Sequence, residues 1–205
     1  MLGRMGEPGI SLEPLRPEHA EDIFASLSDP DAYRFISDEP PGSVEELRER
    51  YSRQVVGYST DRREVWCNWI IRDDRSLEAL GYTQATIKDR SALLGYHLAP
   101  RFWQRGIGAR AVDKTIRLIF ERGDVDRVIA LVDTRNAASV ALLKRHGFAL
   151  VAHHAKADFF KGENSDEFEF ELTRAAWDVP TIPYEGDIAD TPALEAWVPA
   201  HALPR

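Results

Sequence analysis

The feature that most constrains this chain is a change of hydrophobic period at Pro100. Before it, the runs Glu64 to Arg72, Leu77 to Ile87 and Ala92 to Leu98 carry the β-branched, aromatic and aliphatic residues of strands. The turn signals between them, Asp73-Asp74 and Asp89-Arg90, are short enough for antiparallel connections. After Pro100, Val112, Ile116, Ile119 and Phe120 recur at helical spacing, so a helix is expected up to about Gly123. Arg127 to Val132 then reads as a buried strand, Ala137 to Arg145 as a short helix closed by His146-Gly147, and Phe148 to His153 and Asp166 to Leu172 as further strands. Hairpin-linked strands followed by alternating helices and strands predict an α/β fold with a mixed, mostly antiparallel sheet flanked by helices.

Upstream, Ile10 to Leu15 alternates as a half-buried strand does, and Ala20, Ile23, Phe24 and Leu27 form a helical stripe that Ser28-Asp29-Pro30 stops. An acidic loop, Asp38 to Gly42, precedes Ser43, and Glu46 three residues later makes a capping box for a helix reaching about Val56. At 205 residues the chain can bury about 70% of its unfolded surface, enough for one enclosed core. We therefore expect one domain over 10–178, and an extended tail over 179–205, where Pro180, Pro183, Pro192, Pro199 and Pro204 oppose regular structure.

The net charge of −8 disfavours nucleic acid and anionic membrane as partners and favours a cationic acceptor. A lone cysteine, Cys67, excludes an internal disulfide and a cysteine-based zinc site. No metal is assigned, because His153 and His154 are adjacent in a strand and point to opposite faces. The first ten residues lack the apolar core of a signal peptide, and no run approaches the roughly 18 apolar residues of a membrane span. A cytoplasmic monomer or homodimer is the expectation.

Leu98 to Ala111 carries the chemistry. Gly106 and Gly108 let the backbone turn and approach a ligand, presenting consecutive N–H groups at the positive end of the following helix. From Ala99 to Arg110 there are three arginines and no acid, a basic island in an acidic chain that suits a pyrophosphate. A glycine-relaxed loop with solvated arginines is the structural alternative. Gly106, Gly108 and Ala111 also satisfy the dinucleotide pattern G-x-G-x-x-A, so a nicotinamide- or flavin-dependent oxidoreductase stands as a rival.

Trp103-Gln104-Arg105-Gly106-Ile107-Gly108 resembles the signature of the GCN5-related N-acetyltransferase (GNAT) superfamily, in the tryptophan variant of its ribosomal-protein N-terminal acetyltransferase branch. The Gly95-Tyr96 strand, the later Asn136 to Phe148 element and the Leu12 to Asp31 entry resemble the same branch, so the likeness spans about Ile10 to Trp177. It implies an acetyl-CoA-dependent N-acetyltransferase whose sheet splays at its centre to admit the pantetheine arm. Leu98 would pair with that arm, and a backbone N–H between Tyr96 and Leu98 would face the thioester oxygen. Trp103, Gln104, Arg105, Gly106, Ile107, Gly108 and Ala109 would hold the diphosphate. Asn136 caps its helix and would touch the cofactor, Ser139 would approach the sulfur and protonate the thiolate, and Lys144 would meet the adenosine phosphate. The branch often carries glutamate where this chain has Leu93, leaving His97, Glu167 and Glu169 as candidate bases. Phe35, Asp38, Glu39, Phe159 and Phe160 fall in loops that line the acceptor cleft of similar proteins. With that glutamate missing, a non-catalytic acyl-CoA-binding protein on the same fold is the other reading.

Overall fold

The computed structural model describes residues 9–177; the tail read at 179–205 lies outside them. Among the described residues seven strands form one sheet: β1 (Ile10–Pro14), β2 (Val65–Asp73), β3 (Ala79–Lys88), β4 (Ser91–Leu98), β5 (Arg127–Asp133), β6 (Ala149–Phe160) and β7 (Glu163–Thr173). Their order is β1-β2-β3-β4-β5-β7-β6, and every pairing is antiparallel except β4 with β5. The helices are α1 (His19–Leu27), α2 (Val44–Gln54), α3 (Ile107–Glu121), α4 (Ala137–Arg145) and the single turn α5 (Arg174–Trp177). The expected mixed, mostly antiparallel sheet with flanking helices is present.

The two faces of the sheet are covered by different helices. Alternate residues of β2 to β5, among them Ile71, Ala85, Leu94, Val128 and Ala130, join Val112, Ile116 and Ile119 of α3 and Leu143 of α4 in one large core. On the opposite face Ile70 and Ala79 pack with Ala20, Ile23 and Leu27 of α1 and Leu47 and Tyr51 of α2, with Tyr82 against them. Adjacent β4 residues thus serve different sides, Tyr96 facing α3 and α4 and His97 facing α1 and α2.

Local signals act as read, with two differences. Ser43 Oγ accepts from the Glu46 N–H at 3.1 Å, but the Glu46 carboxylate reaches back to the N–H of Gly42, at 3.0 Å, rather than to that of Ser43. The stretch 154–160, read as loop, continues β6, and β7 begins at Glu163, so a long hairpin turns at Lys161 (φ 51°) and Gly162 (φ 82°). Two consecutive positive φ angles suit a tight hairpin turn. The apolar alternation that marks strands is missing there because most of β6 is solvent-exposed, so no core face imprints a pattern.

Candidate active site

The parallel pair β4 and β5 is joined only over Ser91–Leu93 and Arg127–Ile129. Beyond Leu93 the strands part, and Ala130 to Asp133 keep their partners on β7 alone. The N–H of Ala99 donates to Leu80 on β3 at 3.1 Å, so the alternation of a pleated strand turns the main-chain groups of Leu94, Tyr96 and Leu98 toward the gap. These amides form an unpaired edge inside the molecule, a groove that an extended chain with its own amides can complete. At the groove's end the Trp103 indole N–H donates to the Leu98 carbonyl at 2.7 Å, leaving that oxygen one further lone pair.

Between β4 and α3 the backbone folds into a cradle. Pro100–Phe102 make one tight helical turn, Gln104 takes φ 60°, and Gly106 caps α3 at φ 73° with no side chain bonded to the helix end. The first N–H groups of α3 therefore lack intrahelical partners and point into the turn, with no acidic residue in that first turn. A Cβ placed on Gly106 would meet no atom within 4 Å, so the space beside it is open to a ligand. Ile107 anchors the turn at 3% exposure, and the Ala109 carbonyl meets the His146 ring at 2.9 Å, tying α4 to α3. Arg101 and Arg105 both lie over the Phe102 ring, at 4.6 and 5.8 Å, and Arg101 also bonds Glu78 (2.9 Å) and Ser26 (3.0 Å).

Asn136 caps α4 through its Oδ1, which accepts from the Ser139 N–H at 3.2 Å. Beside Ser139 lies the Tyr96 hydroxyl, buried without a hydrogen bond of ordinary geometry. Burial pushes the Tyr96 phenol up, and the neighbouring Ser139 hydroxyl pulls the other way. Lys144 sits exposed in the last turn of α4. The turn around residues 104–109, the free edge of β4 and Ser139 thus lie along one continuous path.

His97 occupies the other face, 5% exposed, stacked on Tyr82 at 5.3 Å and tilted against Tyr33 at 4.8 Å. Its Nε2 is buried with no hydrogen bond, and burial, reinforced by the charge of Arg50, pulls its pKa down to about 4. Tyr33 and Tyr82 continue into a cavity of about 240 Å³ shared by the inner stripe of α2 (Leu47, Arg50, Tyr51 and Gln54), Asp38, and Asn68 and Gln84 of the sheet. Gly95 lets Gln84 lie across β4, because a Cβ there would come within 2.9 Å of that side chain.

Of the other residues read for the acceptor, Glu39 pairs with Lys161 at 3.6 Å and Phe160 lies between Arg135 (5.9 Å) and Lys161 (5.3 Å). Phe35 lies under Arg34 at 5.2 Å, and Phe159 is 65% exposed on β6. Phe159 and Phe160 are strand rather than loop residues, for the reason given for β6. Glu169, on β7, faces Leu131 of β5 and is hydrogen-bonded to His154 at 2.8 Å; β5 and the gap beside it lie between its strand and His97. Burial, before the charges of Asp158 and Asp133, raises Glu167 on the same strand. The structure therefore sets Asp38 in the cavity's lining, packs His97 behind Tyr33 and Tyr82, and leaves Glu169 apart. Arg50, Tyr51, Tyr33 and Tyr82 went unread in the sequence. The only signal for the first two was their place on the Leu47-Tyr51-Gln54 stripe of a helix otherwise rich in charge.

A dinucleotide site is disfavoured by the same geometry. β4, α3 and β5 do form one βαβ unit within the mixed sheet. The acid at the end of β5 that would take a ribose hydroxyl, however, is Asp133, which is 4% exposed and already engaged by Arg135 at 2.6 Å and Ser165 at 2.7 Å.

Comparison with known proteins agrees. The family model described as an acetyltransferase (GNAT) domain matches residues 10–149. The uncharacterized N-acetyltransferase YoaA of Bacillus subtilis is 28% identical over 140 residues, covering 68% of this chain and 78% of that protein. Two solved structures share the fold. The ribosomal L7/L12 α-N-protein acetyltransferase RimL in complex with coenzyme A has a TM-score of 0.71 and 20% identity, covering 80% of this chain and 93% of the other. The spermidine N-acetyltransferase of Vibrio cholerae with CoA and spermine has a TM-score of 0.70 and 18% identity, covering 82% and 97%. A parted parallel strand pair with a glycine cradle at its head, and a family match over more than half the length, make this chain a member of the GNAT acetyltransferase family.

Proposed function

We propose that the protein transfers an acetyl group from acetyl-CoA directly to an amine, on a protein N-terminus or a small molecule, without a covalent acyl-enzyme. The observation that carries this reading is the gap between β4 and β5, which opens at Leu94 and ends under the cradle before α3. Acetyl-CoA, when bound, supplies the activated acyl carbon. The main-chain N–H groups of Gln104 to Ala109, with Arg105, suit the diphosphate, and the edge of Tyr96 and Leu98 suits the amides of the arm. Asn136 has its Nδ2 left for the cofactor once Oδ1 has capped the helix, and the exposed Lys144 suits the adenosine phosphate.

The chain's own groups divide the chemistry between the two faces. An N–H of Tyr96 or Leu98 stabilises charge on the acyl oxygen as the tetrahedral centre forms. The hydroxyls of Tyr96 and Ser139 supply a proton to the departing thiolate. His97, with a pKa of about 4, stays neutral at pH 7 and is too weak a base to hold the ammonium proton, so it orients the neutral amine while water carries the proton away. Asp38 attracts the incoming cation. Cys67 takes no covalent part, because burial raises its thiol pKa.

The rival, an acyl-CoA-binding protein without turnover, draws on Leu93, which is 43% exposed where the branch often carries glutamate. Free-thiol release from acetyl-CoA with a panel of amines separates the two. The transferase reading expects amine-dependent release, abolished by Gly106→Glu, which places negative charge in the cradle. Tight CoA binding with no release for any amine would establish the rival.

A further inference from the structure

We infer that the acceptor is a zwitterion, an α-amine with a carboxylate close by, and that Arg50 and Tyr51 on α2 receive the carboxylate. This rests on the transferase reading and narrows its acceptor. Arg50 lies one residue from Tyr51 and one turn from Leu47, on the stripe of α2 that faces inward, where Leu47 is 0% and Tyr51 5% exposed. Among the described residues no carboxylate lies within ion-pair distance of Arg50.

A buried arginine shows the contrast. Arg72, 8% exposed, is held by Glu13 at 2.8 Å and Asp22 at 3.2 Å, and also donates to the Leu77 carbonyl at 2.8 Å. Arg50 is half-buried and lines the cavity, so its guanidinium stays open to an anionic ligand. The Tyr51 hydroxyl beside it is likewise buried with no hydrogen bond. Two donors from adjacent residues therefore face a cavity of about 240 Å³, while Asp38, with the side-chain oxygens of Asn68 and Gln84 on the sheet, offers acceptors around it. Donors on one side and acceptors on the other match the carboxylate and amine of an amino acid.

Proton chemistry favours an α-amine over a side-chain amine. The Arg50 charge and the burial that keep His97 neutral also disfavour an ammonium beside it. At pH 7.5 roughly a quarter of a peptide's α-amine is already neutral, against about one part in a thousand of a lysine-like amine, whereas the carboxylate of a free amino acid holds more of its amine protonated. A free amino acid and a peptide with an acidic second residue present the same groups, and the assay distinguishes them.

The test measures kcat/KM for free α-amino acids, their α-amides, spermidine and dipeptides with aspartate second. Alongside it, N-acetyl amino acids and their amides are titrated calorimetrically into CoA-loaded protein. The expected preference for acid over amide is about tenfold or more in both measurements, the scale of one charged hydrogen bond. It collapses toward unity in Arg50→Gln and persists in Arg53→Gln, an exposed residue of the same helix outside the cavity. Preference for the dipeptide over the free acid would assign the carboxylate to a protein N-terminus. Equal or better turnover of amides or spermidine, or a preference untouched by Arg50→Gln, would overturn the inference while leaving the transferase standing. Acid-selective, Arg50-dependent binding without turnover of any amine would do the reverse.

Discussion

At the scale of single residues, His97 makes its burial measurable. A histidine held at about 4 when folded and near 6.5 when unfolded binds fewer protons in the native state between those values. Stability is therefore fully present above pH 6.5 and is lost as pH falls through about 4. His97→Phe keeps the ring stack and removes the titration, so between pH 7 and 4 the wild type should lose about 3 kcal/mol more than the variant in urea unfolding. Parallel loss in both proteins would contradict the buried neutral ring; His19, also lowered, titrates in both and cancels. Glycines offer a second contrast. A Cβ on Gly81 would lie 2.1 Å from the His97 carbonyl oxygen, a backbone atom, so Gly81→Ala should cost about 3 kcal/mol or more. At Gly108 the nearest atom is a Leu142 methyl at 3.5 Å, and Gly108→Ala should change stability by less than about 1 kcal/mol. Equal thermal midpoints for the two variants would show that β3 and β4 are not so closely packed. The motif around Gly106 was legible in the sequence because it is local. Arg50 was not, since in Leu47-Arg48-Glu49-Arg50 the charge pattern reads as a solvated helix and only the docked helix shows which arginine turns inward.

Among the elements, the β6–β7 hairpin has a role that its exposed sequence conceals. Its tip residue Lys161 donates to the carbonyls of Tyr33 and Ile36 at 2.7 and 2.9 Å and pairs with Glu39, fixing the segment between α1 and α2 that carries Tyr33 and Asp38. Lys161→Ala removes two hydrogen bonds from a cation, each worth about 1.5 kcal/mol or more. Acceptor KM should rise several-fold while CoA affinity, measured by calorimetry, stays within about twofold. An unchanged KM would mean that the hairpin tip does not shape the acceptor cavity. The strands β2 to β4 and helix α3 were readable because each buries an alternating or helical apolar face in the larger core. The far half of β6 buries none, and Lys156 at φ 52°, where register slips between His154 and Asp158, interrupts even its backbone regularity.

At the scale of the molecule, the sheet of the described residues is one layer that opens between β4 and β5, and its two faces carry different chemistry. The face under α3 and α4 holds the cradle, Tyr96 and Ser139; the face under α1 and α2 holds His97 and the cavity proposed for the acceptor. Hydrophobic periodicity cannot foretell such an opening, because Leu94 and Val132 would alternate in the same way whether the strands were paired or parted. It was expected only through the resemblance of the Trp103 to Gly108 and Asn136 to Phe148 segments. Hydrogen exchange of the backbone amides with and without acetyl-CoA tests the account most directly. Protection should rise at residues 94–98, along the free edge of β4, and at 104–109, in the cradle, with little change in β1 to β3, and NADH should produce neither effect. Acetyl-CoA protection elsewhere, with both segments exchanging as before, would contradict it.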